Sequence, residues 1–385
     1  MKKTMIITLI LAMVMSFTGC ANKEMKLYNA FQKTQEITSM ESDTDITFNF
    51  DVSGLSEQEQ TQVQVAKQML KDSKISLHQK MLQNEDKTIA KAEVDADISV
   101  GGMAMNTKIW IDSDISGKIP KLVEIIKLPK MAMMSAPPEY QNKEYIVYNI
   151  QEIMNMDKGQ QIDFNKLMSS SKELQPKLTA FLKDYALDFN PGFKIVDDKG
   201  MKDINGESVS VYELKLDDRA FKRLMRYSVN NLLENKEATK FIQDYMNTVL
   251  AMAETADVEK EVAKEEMNEQ LNELQNNLPQ MKEQFNQFMD TFEDVKILGD
   301  KGIVVEYAIN KDGYIVNENS TIDLNIDLAS LEKAFSKDTI SVKKKQVFKL
   351  NLNFNTNIYN INKEIEINMP TLNQQNTLYL SDLIK

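Results

Sequence analysis

Cysteine, histidine and tryptophan each occur once in the 385 residues. One cysteine excludes an intramolecular disulfide, and one imidazole without a second thiol leaves no His/Cys set for a zinc centre. Glycine (12) and proline (8) are scarce, which argues against long linkers. Neither a glycine-rich phosphate loop nor a G-x-S-x-G elbow occurs. Lys and Arg (46) are outnumbered by Asp and Glu (58). So acidic a chain repels nucleic acid, and no such partner is expected. Beyond the N-terminus no apolar run reaches the length of a membrane-spanning helix.

The one cysteine, Cys20, stands in "MSFTGCANKE". Lys2 and Lys3 precede an apolar run, Met5 to Met15, that is too short for a retained span. Phe17-Thr18-Gly19-Cys20 then resembles a bacterial lipoprotein signal, with Phe17 where leucine is usual. An ordinary signal peptide with a chance cysteine and an uncleaved anchor are the alternatives. The lipoprotein reading makes 1–19 the signal peptide, 20–24 a short lipid-anchored tether and 25–385 the folded body. Cys20 would be acylated through its sulfur, palmitate being the kind of chain expected. Each buried CH₂ stabilises attachment by about 0.8 kcal/mol. The expected location is the extracytoplasmic face of the bacterial cell membrane. Loss of Lys2 and Lys3 takes the formal net charge from −12 to −14.

Apolar spacing predicts a helix over 25–37 and a strand over 45–53, where Ile46, Phe48, Phe50 and Val52 alternate with polar residues. Ser56 and Glu59 form a capping box for a helix over 56–72. Alternating runs at 74–83, 88–100 and 105–115, with Gly101-Gly102 as a turn, predict an antiparallel meander with one covered face. A short helix is expected at 118–128, a loop at 129–141, a strand at 144–150 and helix through 151–188. Residues 201–216 read as a hairpin about Asn205-Gly206. Asp217 caps a helical region reaching about 290. Strands follow at 295–298, 302–309, 314–326, 347–359 and 363–369, with a short helix over 328–335. Two strand blocks separated by helices predict an α+β fold: a curved antiparallel sheet, an unclosed half-barrel, wrapped around helices, with a helical stretch in mid-chain.

The lipobox, the opening helix running through "AFQKTQEITSMESDTDITFNF" into a strand, "DINGESVSVYELKLD", "YAINKDGYIVNENSTIDLNI" and the closing "IEINMP" together resemble the LolA/LppX-like lipoproteins and related Gram-positive surface lipoproteins. The resemblance is one of pattern over most of 25–375. It implies an unclosed barrel with helices across its concave side and an apolar space that carries lipids or lipidated proteins.

On that expectation the ligand walls are Phe48, Phe50, Ile109, Ile111, Leu350, Leu352 and Phe354, in i, i+2 pairs that share a strand face. Met131, Met133 and Met134, in a proline-flanked loop over 129–138, would form a rim or mobile lid. These thioethers, and those of Met103 and Met105, also suit ordinary packing or soft Cu(I); no metal or other cofactor is assigned. Met267, Leu271, Leu274, Leu278, Met281, Phe285 and Phe288 recur as a heptad seam, interrupted by Pro279. The seam either packs on the chain's own sheet or docks a membrane or surface protein. His78 alternates with Ile75 and Leu77 and belongs to the polar face. Pairs such as Asp197-Asp198 and Asp217-Asp218 are uninformative among so many carboxylates, and the expected class is not an enzyme. Lys343-Lys344-Lys345 is the one local basic feature. A solute-binding protein of a transporter would need parallel α/β lobes, which the alternating strands disfavour.

Overall fold

The computed structural model describes residues 22–117, 120–134, 137–151, 164–253, 277–335 and 346–380. The described residues contain twelve strands, ten of them at alternating runs noted above and two, β5 and β12, not expected as strands: β1 (Ser39–Ser53), β2 (Lys74–Gln83), β3 (Ile89–Val100), β4 (Met103–Asp114), β5 (Lys121–Lys127), β6 (Tyr145–Asn149), β7 (Val196–Ile204), β8 (Glu207–Leu216), β9 (Leu298–Ile309), β10 (Ile315–Asp327), β11 (Val347–Tyr359) and β12 (Thr377–Tyr379). Helices are α1 (Asn22–Gln35), α2 (Glu57–Leu70), α3 (Lys130–Met134), α4 (Phe164–Asp188), α5 (Asp218–Glu234), α6 (Lys236–Ala253), α7 (277–292) and α8 (Leu328–Phe335).

All twelve strands belong to one curved, unclosed sheet in the order β12-β6-β5-β4-β3-β2-β1-β11-β10-β9-β8-β7. The two strand blocks meet where β1 pairs with β11, from Glu41 opposite Tyr359 to Ser53 opposite Val347. The sheet is thus continuous only because segments some 300 residues apart find each other, a slow class of contact to form. The half-barrel with helices is the observed architecture. Its one departure from antiparallel pairing is β12, which runs parallel to β6.

Local chemistry sets the boundaries. Ser56 Oγ accepts the Glu59 N–H while Glu59 accepts the Ser56 N–H at 2.9 Å, which completes the capping box of α2. Asp217 accepts the Ala220 N–H at 2.7 Å and starts α5. Asn205 and Gly206 both have positive φ, as a tight β7–β8 hairpin of the primed type requires. Gly302 (φ +68°) is needed for closeness too, since a Cβ there would meet the Leu216 carbonyl oxygen at 2.1 Å.

Three expectations are corrected. The strand expected at 295–298 does not form by itself, since only Leu298 is extended and it opens β9. Residues 118–128, expected helical, contain β5. The apolar residues of "KLVEIIK" have near-helical spacing, but pairing with β4 and β6 overrides it. Residues 363–369, expected as a strand, have no strand structure. β11 already has β10 on one edge and β1 on the other, so a strand turning back from it has no edge to join. Instead Ile367, Met369 and Leu372 pack on Trp110, Ile125 and Val147.

The main core lies at the β7–β10 end. Leu27 and Ala30 of α1, Phe181 and Tyr185 of α4, Phe189 just beyond α4, and Leu224 and Leu232 of α5 pack against Tyr212, Leu216, Ile309 and Ile315. A separate cluster holds Met289 and Phe292 of α7 against Val295.

Trp110 reports on the C-terminal segment. It is 6% exposed, packs edge-on to Tyr145 and donates from Nε1 to Glu93 at 3.2 Å. Ending the chain at residue 362 is expected to shift tryptophan emission to the red while far-ultraviolet circular dichroism changes little, because the central register does not involve the removed residues. Unchanged emission would show that this segment does not cover Trp110.

Candidate functional site

The β1–β11 register brings five of the proposed wall residues together. Phe48 stands opposite Leu352, Phe50 opposite Leu350 and Ile46 opposite Phe354. β10 extends the patch with Ile322 opposite Leu352, Leu324 opposite Leu350 and Ile326 opposite Phe348. All of these are half-buried. The β10 residues were legible as alternation, but their place beside Phe48 depends on the pairing.

Ile109 and Ile111 share this face and are also half-buried, yet lie elsewhere on it. Through Val94 and Gln79 the row of Ile109 meets β1 at Ser42, six residues from Phe48, or about 20 Å along the strand. The row of Ile111 meets β1 at Met40, further away still. The structure therefore does not bring these two into one patch with Phe48 and Phe50. Met131 and Met134, 52% and 79% exposed, and half-buried Met133 sit on α3. That helix follows β5, which is four strands from β1. The loop expected over 129–138 therefore contains a helical turn. Met103 is exposed and Met105 half-buried, opposite Val100 and Ile98 in the β3–β4 pair.

In α7, Leu278 and Met281 are half-buried, while Phe285 and Phe288 pack into the chain's own Met289–Phe292–Val295 cluster. Met267, Leu271, Leu274, Cys20 and Lys343 to Lys345 lie outside the described residues. Among the described residues no helix is long and apolar enough to cross a membrane, and no three His, Cys, Asp or Glu side chains converge as metal ligands.

The opposite face of the sheet is apolar at its ends, around Trp110, Ile125 and Val147 and around Val209, Val211 and Ala308, and largely polar between them, in two chemistries. Over β1–β4 it carries charge pairs. His78 Nδ1 lies 2.8 Å from Asp43, and Glu41 stands 3.9 Å from Nε2. Tyr359 donates to Asp43 at 3.1 Å; burial first, and then this bond and charge, push its phenol up to about 12. Lys108 bridges Glu93 and Asp95. Hydrogen bonds from Lys74 and Ser76 hold the Asp45 carboxyl below the usual carboxylate range.

Over β10 and β11 amides replace the charges. The Asn355 amide donates to Asn319 at 2.5 Å, Asn319 to Asn317 at 2.9 Å, Asn317 to Asn357 at 2.9 Å, and Asn357 back to Asn355 at 3.2 Å, closing a ring. Beside the ring lies an open groove of about 560 Å³, lined among others by Asp45, Thr47, Glu306, Asn319, Thr321 and Asn353. A second groove, of about 540 Å³, lies near Asn142 and Gln375. The alternation of Asn351, Asn353, Asn355 and Asn357 is visible in the sequence. Its partner row on β10 emerges only from the register.

No protein-family model matches the chain, and no curated protein is significantly similar to it.

Proposed function

We propose that the chain is a membrane-anchored extracytoplasmic lipoprotein, non-enzymatic, that binds an apolar or lipid-like ligand between the sheet and its helices. The observation behind this reading is the half-buried patch of Phe48, Phe50, Leu350, Leu352, Phe354, Ile322 and Leu324. Among the described residues, helix-to-strand packing is concentrated on β7–β10 and, through α2, on β1. The apolar face runs on past those helices into β11 and β2–β4. Apolar surface of this extent marks an interaction site more often than bare solvent contact. Aromatic and branched aliphatic walls suit acyl chains, which need area and shape more than hydrogen bonds.

The alternative, a partner-docking role for the helical region 217–290, has less support. Phe285 and Phe288, two of its proposed contact residues, are occupied by the chain's own core.

Native mass spectrometry of the full chain extracted gently from membranes tests both parts. A covalent acyl mass on Cys20 is expected, with a separate non-covalent adduct of lipid size. Phe48→Asp combined with Phe50→Asp should remove the adduct and leave the acyl mass and the circular dichroism intact. An unmodified Cys20 would defeat the anchor. A clean mass that takes up no added lipid would defeat the ligand reading.

A further inference from the structure

We propose that the polar face of the sheet carries a second binding site, independent of the apolar face: a groove across β1, β11, β10 and β9 for an extended, uncharged glycan. Two neighbouring cross-strand rows floor it. One runs from Asp45 through Asn355 and Asn319 to Glu306, the other from Thr47 through Asn353 and Thr321 to Val304. Successive strands place a side chain about every 4.8 Å along each row, polar at every position but Val304. That spacing is comparable with the length of one pyranose unit, so successive sugars of an extended chain would each lie over the next strand, the central ones over Asn355 with Asn353 and Asn319 with Thr321.

The chemistry of the rows selects the ligand. The ring of four asparagines fixes the amide planes of Asn319 and Asn355. Each spends one N–H and one carbonyl lone pair inside the ring and retains one of each. Thr321 donates to Asn353 at 3.0 Å, which sets that amide as well. Fixed neighbouring donors and acceptors match vicinal hydroxyls, which both donate and accept, and little side-chain freedom is lost on binding. The flanking charges are matched within the protein: Asp45 with Lys74 at 2.8 Å, Glu306 with Lys202 at 3.4 Å. A charged ligand would have to break those pairs, whereas a neutral one leaves them intact.

Asparagine is depleted in strands because it neither fills a pleated surface nor resists local turns. Its place at every second residue of 351–357, facing Asn317 and Asn319, is hard to account for as bare solvated surface. The β2–β4 part of the same face is solvated by charge pairs instead. A peptide is a poorer match, since among these rows only Val304 offers a contact for an apolar side chain.

The test is titration of the full chain with the uncharged tetrasaccharide of β-linked N-acetylglucosamine, followed through side-chain amide signals and calorimetry. The amide signals of Asn319, Asn353 and Asn355 should move together. Asn319→Ala with Asn355→Ala should weaken binding about tenfold, the loss expected for two hydrogen bonds. Thr321→Val keeps shape and strand pairing; it should weaken binding about threefold and covers the case in which the double variant does not fold. Silence at millimolar tetrasaccharide overturns the proposal. So do shifts confined to Asn142 and Gln375, an affinity unchanged by Thr321→Val, or a response to an unstructured peptide alone.

Discussion

Replacing Asp218 with alanine is expected to cost about 3–5 kcal/mol, the range measured when one partner of a buried ion pair is removed. Asp218 opens α5, and its carboxylate takes three jobs at once. It pairs with Lys222 at 2.7 Å and accepts the N–H groups of Ile297 and Leu298 at 2.8 Å each. The Lys222 side chain is only 4% exposed. Its other contacts are the Glu293 carbonyl oxygen at 2.8 Å and the Phe292 ring, 5.8 Å to the centroid. Without Asp218 a buried cation keeps one neutral acceptor, and two backbone donors at the start of β9 lose theirs. Lys222→Met together with Asp218→Asn should recover part of the loss, because the charge then disappears from both sides.

The same contact has a pH signature. Burial alone would raise the Asp218 carboxyl, but bonds from Lys222, Leu298 and Ile297 outweigh it and hold the group below its ordinary value. A depressed folded-state pKa means that the fold favours the ionised form. Its contribution is complete above the unfolded carboxylate value near ~3.9 and is lost as pH falls through the lower, folded one. Thermal melts of the wild type and Asp218→Asn should therefore differ most at neutral pH and converge in acid. A constant difference down to the lowest pH would show that the ion pair is not the source.

The second large effect is expected at Phe189. It is fully buried, with ring centroids 5.9 Å from Tyr185 and 5.0 Å from Tyr227. It sits where the end of α4 meets α1, α5 and the sheet. Phe189→Ala removes both ring contacts and leaves a cavity that three elements must close, at a cost of about 3–5 kcal/mol. Set against a typical total of about 5–15 kcal/mol, that is a large fraction. Denaturant unfolding should show a markedly lower midpoint with an unchanged slope. A shift equivalent to less than about 1 kcal/mol would mean that this site collapses readily, and would count against a rigid α1–α4–α5 core.

How much was legible in advance varied with the range of the interaction. Ser56 with Glu59, Asp217, and Asn205-Gly206 act through neighbours in sequence, and each does what its residue types predict. Alternation at 46–52 and 348–354 specified which side chains share a face, because the strand period of two needs no knowledge of a partner. Residues 121–127 misled because four apolar residues in seven fit either period, and only β4 and β6 select between them. Residues 363–369 misled because their own pattern is strand-like and the lack of a free edge on β11 is a property of the whole sheet.

Of the candidate site, the sequence by itself determined the chemistry: aromatic and aliphatic walls on one face of the strands, short amides and carboxylates on the other. Tertiary structure alone decided the grouping. It set Phe48 and Phe50 against Leu352 and Leu350, moved Ile109 and Ile111 some rows away, and joined asparagines of two strands into a ring. The physical reason is that side-chain facing is a local property of each strand. Adjacency is bought by closing a long loop between β1 and β11, and it depends on every element that must fit inside that loop.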